Sequence, residues 1–373
     1  MIYHKEKNSA TDYSTMLTAK ELTYSYFLNM NSDFQPLSHI ADIVSGIYTH
    51  SSQVLVFEDF RQTPDASVGY SRKLREYVKI EADIAMPFLK STDDIAFFNP
   101  ESDYKHRGIV LFEVKDNIAE HKVIGNSFFN QHPALTEYIK SSAPEMLSSN
   151  NFNSSSWFNV LNRKQSEIML KGKHILAVKE GGCEAFFDNN GKYAIPYDMY
   201  GIYANNCSLP DKLLTAIFNS SLFSFLRKEE QQRNRIIRNS KYESVSKFPI
   251  PVNGYNINLL NALSTMVEVL TEVKSSKGGS SYPSSQIKHY LYQMLNMAVF
   301  ELYFPDYVHT EGLSVSRDFD PNIFYDPYLA PSEKVSAIYN WFMRPNNKVR
   351  QKIMLLDSRS HEFLYNIFTH LKR

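Results

Sequence analysis

Seven cationic side chains crowd into residues 227–247: Arg227, Lys228, Arg233, Arg235, Arg238, Lys241 and Lys247, against only Glu229, Glu230 and Glu243. Gln231, Gln232, Asn234, Asn239 and Tyr242 are mixed among them. Lysine and arginine neutralise backbone phosphates, while Arg, Asn and Gln can hydrogen-bond base edges. The pattern therefore points to contact with a nucleic acid. The competing explanation is a solvated helix end, because cations are stabilised near a helix C-terminus. Two smaller basic turns, Lys171-Gly172-Lys173-His174 and Ser71-Arg72-Lys73-Leu74-Arg75, carry the same charge with less density. The candidate contacts are Arg227, Lys228, Arg233, Arg235, Arg238 and Lys241, followed by Lys171 and Lys173.

A second constellation suits hydrolysis. Asp103, Glu113 and Lys115 form an Asp-(x)9-Glu-x-Lys pattern around an apolar strand. Two carboxylates at such spacing can hold Mg²⁺, and a lysine beside them can orient the attacking water. An ordinary strand edge with alternating charges yields the same letters. A third possibility, amine methylation on a flipped base, needs an Asn or Asp followed by two prolines and an aromatic. Phe98-Asn99-Pro100-Glu101 lacks the second proline and the aromatic, and Tyr325-Asp326-Pro327-Tyr328 lacks one proline. No two glycines stand at i and i+2, so a Gly-x-Gly cofactor loop is absent from the sequence. The eleven histidines are scattered without metal-site spacing.

The elements that must position these residues alternate in kind. Ile40-Ala41-Asp42-Ile43-Val44, Gln53-Val54-Leu55-Val56-Phe57, 109–114 and His174-Ile175-Leu176-Ala177-Val178 are short and β-branched, which predicts strands. Asp188-Asn189-Asn190-Gly191-Lys192-Tyr193 predicts a hairpin turn. Residues 133–141 form a short helix candidate. Residues 210–227 form a stronger one, with Leu213, Leu214, Ile217, Leu222 and Phe225 at helical spacing. Lys247-Phe248-Pro249-Ile250-Pro251 breaks the chain. Beyond it the period turns helical at 257–273 and 285–304, predicted to pair antiparallel across a Ser/Gly-rich linker. The stretch 311–333 is acidic, and 331–373 carries two further amphipathic helices.

At 373 residues the chain is long enough for two or three units at roughly 150 residues each. The division expected is a polar lead-in at 1–35, an α+β unit at 36–252, and a helical module at 255–373 with an acidic linker. Forty basic and forty acidic residues cancel, which excludes a uniformly basic protein and leaves only local patches for a polyanion. Cys183 and Cys207 are too few for a four-thiolate zinc site and fit a reducing cytoplasm. No apolar run approaches the ~20 residues of a membrane span, and residues 1–10 are too polar for a signal peptide.

The order of several segments resembles a known family. Leu37-Ser38-His39-Ile40-Ala41-Asp42-Ile43-Val44-Ser45-Gly46-Ile47-Tyr48-Thr49 is similar to the opening of target recognition domains in bacterial restriction–modification proteins. Ala85-Met86-Pro87-Phe88-Leu89-Lys90 is similar to the family's Arg-Pro-Leu-Leu stretch, with Met86 in place of the arginine. Ile217-Phe218-Asn219-Ser220-Ser221-Leu222-Phe223 resembles its Leu-Asn-Ser-x-Leu-Phe helix, and Phe248-Pro249-Ile250-Pro251 its closing strand. Ala298-Val299-Phe300-Glu301-Leu302-Tyr303-Phe304-Pro305 resembles the helical ending of long single-chain restriction–methylation enzymes. Together, over residues 36–305, these resemble the TaqI-like C-terminal specificity domain of adenine DNA methyltransferases.

The resemblance implies a domain that reads a double-stranded DNA sequence beside a catalytic methyltransferase domain or subunit. That adenine methyltransferase partner would hold S-adenosylmethionine. This chain would carry the specificity function of a type II or IIG system without catalytic motifs and without a cofactor of its own. The Mg²⁺-dependent nuclease built on Asp103, Glu113 and Lys115 is the alternative, and a protein-interaction scaffold without DNA is a further one.

Overall fold

A computed structural model describes residues 33–48, 51–89, 91–96, 98–100, 107–110, 112–113, 126–147, 160–161, 163–179, 182–205, 209–210, 212–234, 241–252, 256–275 and 284–358. The chain begins with β1 (Phe34–Pro36), α1 (Leu37–Ile40), β2 (Ala41–Ser45), α2 (Ser52–Leu55), β3 (Val56–Gln62), β4 (Ser67–Ser71) and β5 (Glu76–Ile80). It continues with β6 (Ala85–Pro87), β7 (Ile95–Ala96), β8 (Asn99–Pro100), β9 (Gly108–Val110), β10 (Phe112–Glu113), α3 (Asn126–Gln131) and α4 (Pro133–Ser142). Then come β11 (Val160–Leu161), α5 (Arg163–Met169), β12 (Lys173–Lys179), β13 (Gly182–Asp188), β14 (Met199–Ala204), α6 (Leu213–Phe218), α7 (Ser221–Asn234), α8 (Lys241–Ser246) and β15 (Pro249–Pro251). Helices close it: α9 (Ile257–Ser275), α10 (Ser284–Tyr303), α11 (Pro305–Thr310), α12 (Pro321–Phe324), α13 (Pro331–Phe342) and α14 (Lys348–Ser358).

The class is α+β, as the alternating texture of the sequence predicts. Two antiparallel sheets form its centre. One has the order β13-β12-β14-β2, the other β5-β4-β3-β9-β6. Strand alternation sorts their side chains between layers. Leu176 and Val178 of β12 join Leu213, Ile217 and Phe223 in the largest apolar cluster, under the helices. Ile175 and Ala177, on the opposite face, join Val56 and Ile109 of the second sheet. Phe57 and Val110 then point away from that junction and pack with Leu135, Tyr138 and Ile139 of α4. Tyr138 fixes this last layer by donating to the Val54 carbonyl at 2.7 Å.

The largest cluster does not stop at residue 252. It runs from Leu37 through Leu263 and Met294 to Trp341 and Leu356. Glu268 on α9 adds polar ties across the same boundary, to Lys212 at 2.5 Å and to Lys334 of α13 at 3.5 Å. The unit at 36–252 is nevertheless closed at its ends. β1 and β15 pair antiparallel, Phe34 opposite Pro251 and Pro36 opposite Pro249. The Leu37 amide donates to the Phe248 carbonyl at 2.8 Å.

Several local expectations change. Gln53 to Leu55 are not strand: Ser52–Leu55 is a helical turn that buries Val54 and Leu55, and the strand starts at Val56. The 210–227 helix is two helices, broken at Asn219 and Ser220. The Asn219 carboxamide accepts from the Ala185 amide at 2.8 Å and donates to the Ala185 carbonyl at 2.7 Å, acting as one more rung on the edge of β13. Asp188 to Tyr193 is a turn but not a hairpin. Here the chain leaves the edge strand β13 and returns to the sheet as β14, on the far side of β12. Gly191 takes φ +62° there, where a Cβ would meet the backbone of Leu170. The acidic stretch after residue 310 contains only the short α12 before α13 begins. Residues 1–32 of the expected polar lead-in lie outside the described residues.

Candidate nucleic-acid interface

Part of the basic stretch lies on α7 and α8. α7 continues to Asn234, so Arg227, Lys228 and Arg233 all lie on it, and Lys241 opens α8. The side chains of Lys228, Arg233 and Lys241 are outside the described residues, as are Arg235 and Arg238 altogether. The two helices are set against the four-stranded sheet by their apolar residues. Leu222, Phe223, Phe225 and Leu226 of α7 and Val245 of α8 enter the largest cluster. Tyr242 on α8 stands beside Tyr200 of β14, ring centroids 6.2 Å apart, and keeps 44% of its surface exposed.

Arg227 corrects the expectation of a solvent-facing phosphate contact. It is only 2% exposed, and its guanidinium donates through Nη1 to the Ser244 hydroxyl of α8. The reason is its place in the enclosed half of α7. All seven residues from Ser221 to Arg227 are buried, so this half of α7 is enclosed all round and takes Arg227 with it. A buried arginine needs hydrogen-bond partners because its charge cannot be given up.

Lys173 is a second correction. It is fully buried, and its ammonium donates to the Asp188 carboxylate at 2.8 Å and to the Met169 carbonyl at 2.7 Å. The same carboxylate accepts from the Lys192 and Tyr193 amides at 2.9 and 3.0 Å, so the pair staples the turn that leaves β13. Burial pulls the Lys173 ammonium below its ordinary value, and Asp188 opposes that shift. Next to it, His174 packs against α6, Nδ1 2.8 Å from the Thr215 hydroxyl, and burial depresses it to about 3. It is a neutral core residue.

Lys171, by contrast, is exposed. Its ammonium stands 5.4 Å from the centre of the Tyr203 ring. Three polar residues that the sequence did not single out lie nearby. Lys164 of α5 pairs with Asp42 at 2.6 Å, and Asn205 donates to the same carboxylate at 2.9 Å. These partners, Lys164 first and Asn205 second, hold Asp42 below its ordinary range, with a smaller contribution from Lys171. Nothing in the separate letters Asp42, Lys164 and Asn205 signals this meeting, which depends on β14 pairing with β2. Lys171 and Arg227 are not brought together. Tyr203 and Tyr200 are three residues apart on β14 and so face opposite sides of the sheet. Lys171 attends the first, and the Arg227 helix acts on the second.

For the hydrolytic reading, Glu113 ends the two-residue strand β10, while Asp103 and Lys115 lie outside the described residues. Among the described residues no three His, Cys, Asp or Glu side chains converge on a possible metal position. The methylation-like segments are otherwise engaged. Phe98 is buried at 2%, with its amide on the Ala185 carbonyl and its own carbonyl accepting from Thr271. The Asp326 carboxylate accepts from the Tyr328 amide at 2.8 Å. Arg72 pairs with Glu58 across the β3–β4 edge. Among the described residues no helix is long and apolar enough to cross a membrane.

No protein-family model matches this chain, and no curated protein matches it significantly. Among solved structures it is similar to the type IIL restriction–modification enzyme MmeI in complex with DNA, at 12% sequence identity and a TM-score of 0.40. The alignment covers 86% of this chain and 36% of that one, so the chain spans about a third of the enzyme's length. A TM-score of 0.40 does not establish a shared fold.

Proposed function

We propose that this chain binds double-stranded DNA and serves as the specificity part of a restriction–modification system. Lys228, Arg233, Arg235, Arg238 and Lys241 set the phosphate register, with Lys171 as a separate outlying contact. Gln231, Gln232, Asn234 and Asn239 supply the side chains that can read base edges in the major groove. An adenine methyltransferase domain or subunit provides the catalysis and the S-adenosylmethionine, and completes any base extrusion. The helices α9 and α10 brace the reader or meet that partner.

The observation that carries this reading is the placement of the basic stretch. Its cations lie in the sequence of two consecutive helices and the six residues that join them, and those helices are anchored by buried apolar residues to the largest cluster. The ordered resemblance to target recognition domains supports it independently. The test is anisotropy of a fluorophore-labelled mixed-sequence duplex, titrated with the full chain at low and at high salt. Binding should weaken steeply with salt, by about 0.9 log units of affinity per log unit of salt for each phosphate contact. An interaction scaffold without DNA would show no such binding.

A further inference from the structure

The geometry points to Arg227 as a positioning residue: it fixes the angle between α7 and α8 through Ser244, and so sets how the basic residues around and between those helices meet the duplex. This deepens the DNA-binding reading and rests on it. α7 ends at Asn234 and α8 begins at Lys241, so only the six residues 235–240 join them, Arg235 and Arg238 included. The Arg227 guanidinium reaches from one helix to the Ser244 hydroxyl of the other and is almost wholly buried. A charge-assisted hydrogen bond of this kind is stronger and more directional than a neutral one. Apolar contacts would hold the helices together but leave them free to slide, whereas this bond gives them one register. The Tyr200–Tyr242 contact restrains α8 on the side facing the sheet. Arg227 therefore belongs to the charge cluster in sequence but has a different role there, ordering the contacts without making one.

Salt dependence separates the two roles, because a phosphate contact contributes to the slope and a brace does not. Full-chain variants R227A, R227Q and S244A are compared by anisotropy with the mixed-sequence duplex, alongside urea midpoints to establish folding. A brace predicts that R227A binds about tenfold more weakly with an unchanged salt slope, the loss expected of one strong buried hydrogen bond. R227Q, which keeps a donor for Ser244 but no charge, should recover most of the affinity. S244A should weaken binding in the same direction while leaving Arg227 in place, and it remains informative if R227A does not fold. The inference is overturned if R227A lowers the slope by about 0.9 with no rescue by R227Q, the signature of a direct phosphate contact. It is also overturned if S244A, or a folded R227A, binds as the parent does. If the unaltered chain shows no salt-sensitive binding, the DNA reading itself falls, an outcome distinct from a parent that binds and variants that do not differ.

Discussion

Replacing Lys173 by methionine distinguishes a buried staple from a surface contact. Methionine preserves most of the apolar stem and removes the ammonium. In the parent that ammonium is 2.8 Å from Asp188, with both side chains almost fully enclosed, and it also satisfies the Met169 carbonyl. After the change Asp188 keeps two backbone amide donors but loses its counter-charge. Breaking one side of a buried pair costs about 3–5 kcal/mol, and the two remaining donors place this case near the lower end, about 3 kcal/mol. That is roughly a hundredfold in the folding equilibrium and a large part of a typical domain's stability. Urea unfolding followed by circular dichroism reads it directly. The double variant K173M/D188N should recover part of the loss, because it removes the stranded charge. Duplex affinity of the folded protein should stay within about twofold of the parent with an unchanged salt slope. A stability loss below about 1 kcal/mol together with weaker, less salt-sensitive DNA binding would refute the burial argument and restore Lys173 as a phosphate contact.

His174, held at about 3 by burial against an ordinary 6.5, binds fewer protons folded than unfolded between those values. Stability should therefore be full above pH 6.5 and fall as pH drops toward 3, by a few kcal/mol in total; H174Q should flatten that part of the urea-midpoint profile, and an unchanged profile would contradict it. N219A strands the Ala185 amide, while the Ala185 carbonyl keeps its bond from the Phe98 amide, and should cost about 1–3 kcal/mol in urea, with hydrogen exchange rising first at the Ala185 amide; a near-neutral change would contradict the rung assignment. Glu301, buried, accepts from the Val315 and Ser316 amides and the Ser314 hydroxyl. E301Q should cost about 1–3 kcal/mol and speed exchange at those two amides while leaving β12 unaffected.

The parts of the fold that were legible in sequence had strong local periodicity. The long α9 and α10 appear within two residues of the spans that their apolar spacing predicts. The strand at His174 does as well, because β-branched runs buried on both faces are distinctive. The failures were set by distant partners. Val54 and Leu55 read as strand, but a turn there brings the Val54 carbonyl to Tyr138, 84 positions away. The break at Asn219 depends on Ala185 in another element. The site was legible as a charge cluster but not as geometry. Net charge along the sequence does not say which cation faces water, and Lys173 is committed by Asp188 across a strand pair.

The central claim is that the cations flanking and joining α7 and α8 grip a duplex through its phosphates. Charge reversal of Arg233, Arg235 and Arg238 to glutamate, with affinity measured across a salt series, tests it most directly. The account predicts a folded protein whose duplex binding is lost at high salt, and whose salt slope at low salt is smaller by about 2.7, three contacts' worth. A triple variant that binds the duplex with the parent's affinity and slope would contradict it.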